Sequence, residues 1–129
     1  MTVAEVNAIA QAFSEGVANQ DAAKLADLYE EDGKLLPPNF EPCEGKPAIQ
    51  EWMEGMFQQG ASELEIEPLD VQEAGELTIE YGRYTLTMRP PDGEAATDVG
   101  KYIVVHRSQD DGTTRIMLDI FNSNTPAEA

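Results

Sequence analysis

Basic residues are scarce in this chain: 8 lysines and arginines stand against 25 aspartates and glutamates, a formal net charge of −17 at pH 7. A surface of that sign repels nucleic acid phosphates and anionic lipid headgroups, so neither nucleic acid nor membrane is expected as a partner. Cysteine and histidine are scarcer still. Cys43 is alone, which excludes an internal disulfide, and with His106 as the single histidine the chain lacks the ligands of an ordinary zinc site. An EF-hand pattern is also missing, which leaves only an irregular carboxylate-bound cation open. Long apolar runs are absent too. The first residues, MTVAEVNAIAQAF, have no basic segment and space their apolar positions by three and four, so the expectation is a soluble cytoplasmic protein without a leader or transmembrane span.

At 129 residues the chain has the length of one domain, able to bury roughly two thirds of the surface its unfolded form exposes. Thr2 and Glu5 form a capping box, and Val6, Ile9, Ala10, Phe13 and Val17 recur along one helical stripe, predicting a helix that ends near Asn19. Asp21 is placed to cap a second short helix carrying Leu25, Leu28 and Tyr29, stopped by Asp32-Gly33. The prolines of KLLPPNFEPCEGKP argue against regular structure there. Pro47 then opens a third helix with Ile49, Trp52, Met53 and Met56 along one side, closed by Gly60.

Beyond Gly60 the pattern is that of sheet. Leu64 and Ile66 alternate with Glu63, Glu65 and Glu67, and Pro68 marks an edge or a bulge. The runs ELTIEYGRYTLTM, VGKYIVVHR and TRIMLDIFNS follow, separated by PPDG and QDDGT, which predicts adjacent antiparallel strands. Residues 125–129, TPAEA, are expected to fray. Helices first and a strand meander afterwards is an α+β order.

The segments VANQDAAKLADLYEEDG, EGKPAI, YGRYTLT, GKYIVVHR and DIFNSN, in that order, resemble the nuclear transport factor 2-like superfamily. Within it they resemble the SnoaL-like group, of the SgcJ/EcaC type. The resemblance spans nearly the whole chain as a single domain, 1–129. It implies a cone-shaped, cystatin-like fold, in which a strongly bent, mostly antiparallel sheet wraps around the N-terminal helices and encloses a pocket, and whose outer sheet face often forms a homodimer. Function is left open by it, since the superfamily holds isomerases, dehydratases, cyclases, epoxide hydrolases and non-catalytic association domains. Ketosteroid isomerase is similar over the first helices, but its oxyanion-binding tyrosine falls at Phe13, its aspartate base at Pro37 and its strand-borne acid near Tyr102. That machinery is therefore changed. The paired aspartates of the limonene epoxide hydrolase type and the histidines of the scytalone dehydratase type are missing as well.

Strand alternation divides the remaining side chains between the two faces. With Phe121 inward, Asp119 and Met117 follow it, while Ile116, Leu118, Ile120 and Asn122 face out. Tyr102, Val104 and His106 are assigned inward, as are Tyr84, Leu86 and Met88, and a hairpin centred near Ala95 would set Tyr84 opposite His106. Trp52, Met53, Met56 and Phe13 would close the pocket from the helices.

The candidate catalytic pair is thus His106 and Asp119, with Phe13, Trp52, Met56, Tyr84, Tyr102, Met117 and Phe121 as ligand-binding residues. His106 would serve as base or acid, Asp119 as its partner or as a second acid, and Tyr84 or Tyr102 as a donor to a substrate oxygen. A structural reading competes with this one. Asp119 could simply accept hydrogen bonds from Tyr102, a backbone amide or Arg115, and His106 could be a satisfied core residue. No cofactor and no metal are implied. The expected partners are a small, mostly apolar metabolite and a second copy of the chain, joined through Ile103, Val105, Ile116, Leu118 and Ile120.

Overall fold

A computed structural model of the chain describes residues 1–126. Of the tail expected to fray, residues 127–129 lie outside the described residues. Helix α1 (Val3–Ala18) begins at the Thr2–Glu5 capping box, with the amide of Glu5 donating to Oγ1 of Thr2 at 3.1 Å. Its buried stripe is Val6, Ala10, Phe13 and Val17. Helix α2 (Ala22–Ala26) is capped by Asp21, whose Oδ1 accepts from the amide of Lys24 at 3.1 Å.

Two strands follow where no strand was expected. Strand β1 (Tyr29–Leu36) contains Tyr29, Asp32 and Gly33, and β2 (Cys43–Glu44) lies in the proline-rich segment. The Asp32-Gly33 pair, read from sequence as a stop, belongs to a bulge: Tyr29 pairs with Ile116 and Lys34 with Leu118, so five residues of β1 cover two steps of its neighbour. Pro37 and Pro38 sit in the connection between β1 and β2, outside the paired residues Lys34–Leu35 and Cys43–Glu44, where a missing amide costs no ladder bond.

Helix α3 (Lys46–Gln58) has proline in its first turn and turns into the sheet at Gly60, whose φ of 109° is costly for other residues. Strands β3 (Ala61–Ala74), β4 (Leu77–Met88), β5 (Ala96–Ser108) and β6 (Thr114–Ser123) complete a six-stranded sheet of order β2-β1-β6-β5-β4-β3. All pairs are antiparallel except β1 with β6. This is an α+β architecture in which a curled sheet wraps the helices, with α1 against β3 and α3 against β1. Leu25, Tyr29, Leu35, Ile49 and Ile116 are fully buried at the centre of the core. Among the described residues no helix is long and apolar enough to cross a membrane.

Two registers differ from those expected. Met88 pairs with Ala96, so the β4–β5 hairpin turns about Asp92, within PPDG itself, and not about Ala95. Tyr84 consequently lies opposite Gly100, and His106 opposite Thr78. In β6 the pairing slips between Val105↔Leu118 and His106↔Ile116, a bulge at Met117. One extra residue reverses parity, so Ile116 is buried inside, and Met117 turns to the outer side, where its sulfur meets Arg107.

On that outer face two cross-strand rows, Ile79–Val105–Leu118 and Tyr81–Ile103–Ile120, form an apolar area. Ile103 is 45% exposed and Tyr81 48%. The rows Arg83–Lys101–Asn122 and Arg107–Arg115 flank it on either side.

Candidate functional site

Between the sheet's inner face and helices α1 and α3 lies a cavity of about 120 Å³. Phe13, Trp52, Met56, Tyr84, Tyr102 and Phe121 line it, together with His106 and Asp119. Met117 does not, for the reason given above, and Ile116 takes its place. The ring of Phe121 anchors the aromatic side, meeting Trp52 edge-on at 5.8 Å and Tyr84 at 5.6 Å between centroids. Trp52, Met56 and Phe57 are half-buried, whereas Glu80, His106 and Asp119 are buried at the inner end.

Glu80 is the member of this group that the sequence reading passed over. In ELTIEYGRY a glutamate between Ile79 and Tyr81 looks like the wet side of a strand, yet the structure inverts it: Ile79 and Tyr81 are exposed and Glu80 is 4% exposed. The signal was parity. Glu80 is four residues from the inward Tyr84 and must share its face.

Two glycines make room for the polar end. Gly82 is opposite Tyr102 and Gly100 opposite Tyr84, and a Cβ on either would collide with the tyrosine ring or hydroxyl across the strands. Each phenol therefore lies over a bare backbone and reaches an acid beyond it. Tyr102 donates to Glu80 through a short hydrogen bond, and Tyr84 donates to Asp98 at 3.1 Å.

Glu80 uses its second oxygen for His106, with Nε2 of the imidazole 2.8 Å from Oε1. We assign the shared proton to Nε2, since the carboxylate already accepts from Tyr102 and serves best as acceptor for both. In the neutral ring the lone pair is then on Nδ1, which is buried and has no hydrogen-bond partner. His106, a residue of the cavity wall, thus keeps one buried ring nitrogen without a partner.

Asp119 faces Val104 across the β5–β6 pair, as Glu80 does across β4–β5, so the two carboxyls flank one inward valine. Neither Tyr102 nor Arg115 holds it. Arg115 is engaged by the carbonyl of Asp27, and the donor to Asp119 is Tyr29, 2.6 Å from Oδ2. Burial pushes the Asp119 carboxyl up to about 6; the Tyr29 hydroxyl opposes this, nearby Glu80 adds to it, and His106 opposes it. Burial also raises Tyr29 and Tyr102, each further raised by the acid it serves, so both remain protonated donors. Cys43 is buried in β2, its thiol raised by burial, and takes no part. Among the described residues no group of three or more His, Cys, Asp or Glu side chains is placed to hold a metal ion.

A family model described as SnoaL-like domain matches residues 10–116. The chain belongs to the SnoaL-like domain family. Solved structures agree on the wider fold. A ketosteroid isomerase-like protein from Erwinia carotovora atroseptica superposes with a TM-score of 0.85 at 17% identity, covering 96% of this chain and 97% of its own. A putative calcium/calmodulin-dependent protein kinase II association domain from Xanthomonas campestris gives 0.85 at 22%, covering 98% and 91%. A nuclear transport factor 2-like protein with a cystatin-like fold from Novosphingobium aromaticivorans gives 0.81 at 17%, covering 96% and 82%. Comparison with curated protein sequences found no match. At such identities these likenesses establish the nuclear transport factor 2-like fold of this SnoaL-like chain, and its chemistry has to be argued from its own residues.

Proposed function

We propose that the cavity binds a small, mostly apolar metabolite and acts on it by proton transfer between the chain's own side chains, as isomerisation, cyclisation or dehydration requires. The observation that carries this reading is the unpartnered Nδ1 of His106, a side chain of the wall that also holds Asp119, whose carboxyl burial pushes up to about 6. His106 is the base, oriented by Glu80; Asp119 is the acid, oriented by Tyr29. A base and an acid whose environments differ are what such chemistry needs near neutral pH. The apolar walls keep water from competing for the proton.

The test begins with mass spectrometry of any molecule carried by protein purified from its host. That molecule is then followed by NMR in deuterated solvent. Exchange of a carbon-bound proton in wild type, lost in His106→Gln and Asp119→Asn while binding persists, supports the reading. A bound molecule that exchanges no proton with the wild type would make the domain a ligand-binding module.

The apolar rows on the outer sheet face support a homodimer within the same proposal. Ile79, Tyr81, Ile103, Val105, Leu118 and Ile120 form a contiguous apolar surface of the kind that a self-complementary contact covers. Ile116, assigned to that surface from the sequence, is buried inside and contributes nothing to it.

A further inference from the structure

Each side-chain hydrogen-bond donor at the buried end of the cavity is already engaged. Tyr102 donates to Glu80, Tyr29 to Asp119, and Nε2 of His106 to the second oxygen of Glu80. Farther along the wall, Tyr84 gives its hydroxyl to Asp98. Above the pH at which Asp119 gives up its proton, the polar atoms left over at this buried end are acceptors; the indole N–H of Trp52 belongs to the half-buried outer wall. Nδ1 of His106 is buried without a partner, and Asp119 makes its hydrogen bond through Oδ2, which leaves Oδ1 for the cavity. Lysine and arginine are missing from the lining, so no positive side chain meets an anion there, while Glu80 and Asp119 repel one.

From this arrangement we infer that the pocket selects a ring-sized apolar molecule presenting an O–H or N–H donor, an alcohol, a phenol or a protonated amine. Carboxylates and donorless carbonyl compounds of the same size are rejected. This rests on the reading of the cavity as a ligand site. With Asp119 ionised, a donor satisfies its free oxygen, whereas a carbonyl oxygen placed at this end would face lone pairs and leave that oxygen unpaired. Size sets a second limit: about 120 Å³ is close to the roughly 150 Å³ of an engineered apolar cavity that accepts benzene. For an amine, the aromatic wall of Trp52, Tyr84 and Phe121 adds cation–π attraction, and the Asp119 carboxylate supplies the counter-charge.

Calorimetry with toluene, benzyl alcohol, benzylamine, benzaldehyde and benzoate tests the inference on wild type and on Asp119→Asn. Benzyl alcohol or benzylamine should bind wild type at least about tenfold more tightly than toluene or benzaldehyde, and benzoate should not bind. The two sources of the donor separate by pH. Benzylamine affinity that falls as Asp119 protonates marks the ammonium, and benzyl alcohol binding without benzylamine binding marks the hydroxyl; both support the inference. Asp119→Asn introduces an amide donor and should shift preference toward benzaldehyde. Should that variant fail to fold, the wild-type series is decisive alone. Benzaldehyde or benzoate binding as tightly as benzyl alcohol overturns the inference and leaves the ligand site standing. Failure of every probe, toluene included, overturns both.

Discussion

The hydroxyl of Tyr29 and the carboxylate of Asp119 are joined at 2.6 Å across 90 residues of sequence, from the first strand to the last. This hydrogen bond works against burial and holds the acid near 6. Tyr29→Phe should move the titration of Asp119 upward, as read from its carboxyl carbon by NMR, and reduce stability by about 1–3 kcal/mol through the lost buried bond. An unchanged titration would contradict the role assigned to Tyr29.

Asp119 also predicts a pH dependence of stability. Its carboxyl is pushed up to about 6 in the fold against an ordinary value of 3.8, so the native state binds a proton over that window and the unfolded chain does not. Its contribution is therefore most favourable below 3.8 and is lost as pH rises through about 6, a change of about 3 kcal/mol. Urea denaturation should show wild type gaining on Asp119→Asn as pH falls through this range. A difference that moves the other way refutes the assignment.

Glu80→Gln removes one of the two acceptor positions that Tyr102 and His106 share. The cost should be about 1–3 kcal/mol in denaturant titrations. Because the imidazole loses the partner that fixes its tautomer, proton exchange on a bound ligand should fall while binding is retained.

Trp52 is half-buried at the cavity wall against Phe121, so an apolar ligand should shift or quench its fluorescence. As the chain's single tryptophan, it reports without interference. Silence across a broad panel of apolar molecules would argue for a domain whose business is association.

Ile103 lies at the middle of the row Tyr81–Ile103–Ile120. Light scattering of wild type should give twice the chain mass, and Ile103→Arg, which adds charge between rows already holding arginine and lysine, should give the single chain. A monomeric wild type would remove the homodimer from the proposal.

How far the sequence could be read depended on how local each signal was. Helix α1 was legible because cap and stripe lie within 16 residues of one another. Strand β1 was not, since its ladder partner is some 85 positions away and its bulge carries Asp32-Gly33, ordinary turn chemistry. Inward Tyr102 and His106 followed from alternation, which β5 keeps along its length. The same rule failed at Met117, where one unpaired residue reverses it. Glu80 was hidden differently: hydropathy sends a glutamate to water, and only its tyrosine and histidine partners on another strand make burial tolerable.

The parallel pairing of β1 with β6 has a consequence for the order of assembly. Glu80, Tyr102 and His106 come together within one hairpin, 22 to 26 residues of separation, whereas Asp119 meets Tyr29 only when the closing strand settles beside the opening one. Contacts between distant segments carry the larger chain-closure entropy. The cluster of Glu80, Tyr102 and His106 therefore forms at a smaller entropic cost than the Tyr29–Asp119 pair. A nascent chain that has not yet released β6 from the ribosome holds His106 and Glu80 without Asp119, and the cavity wall is completed together with the last piece of the fold.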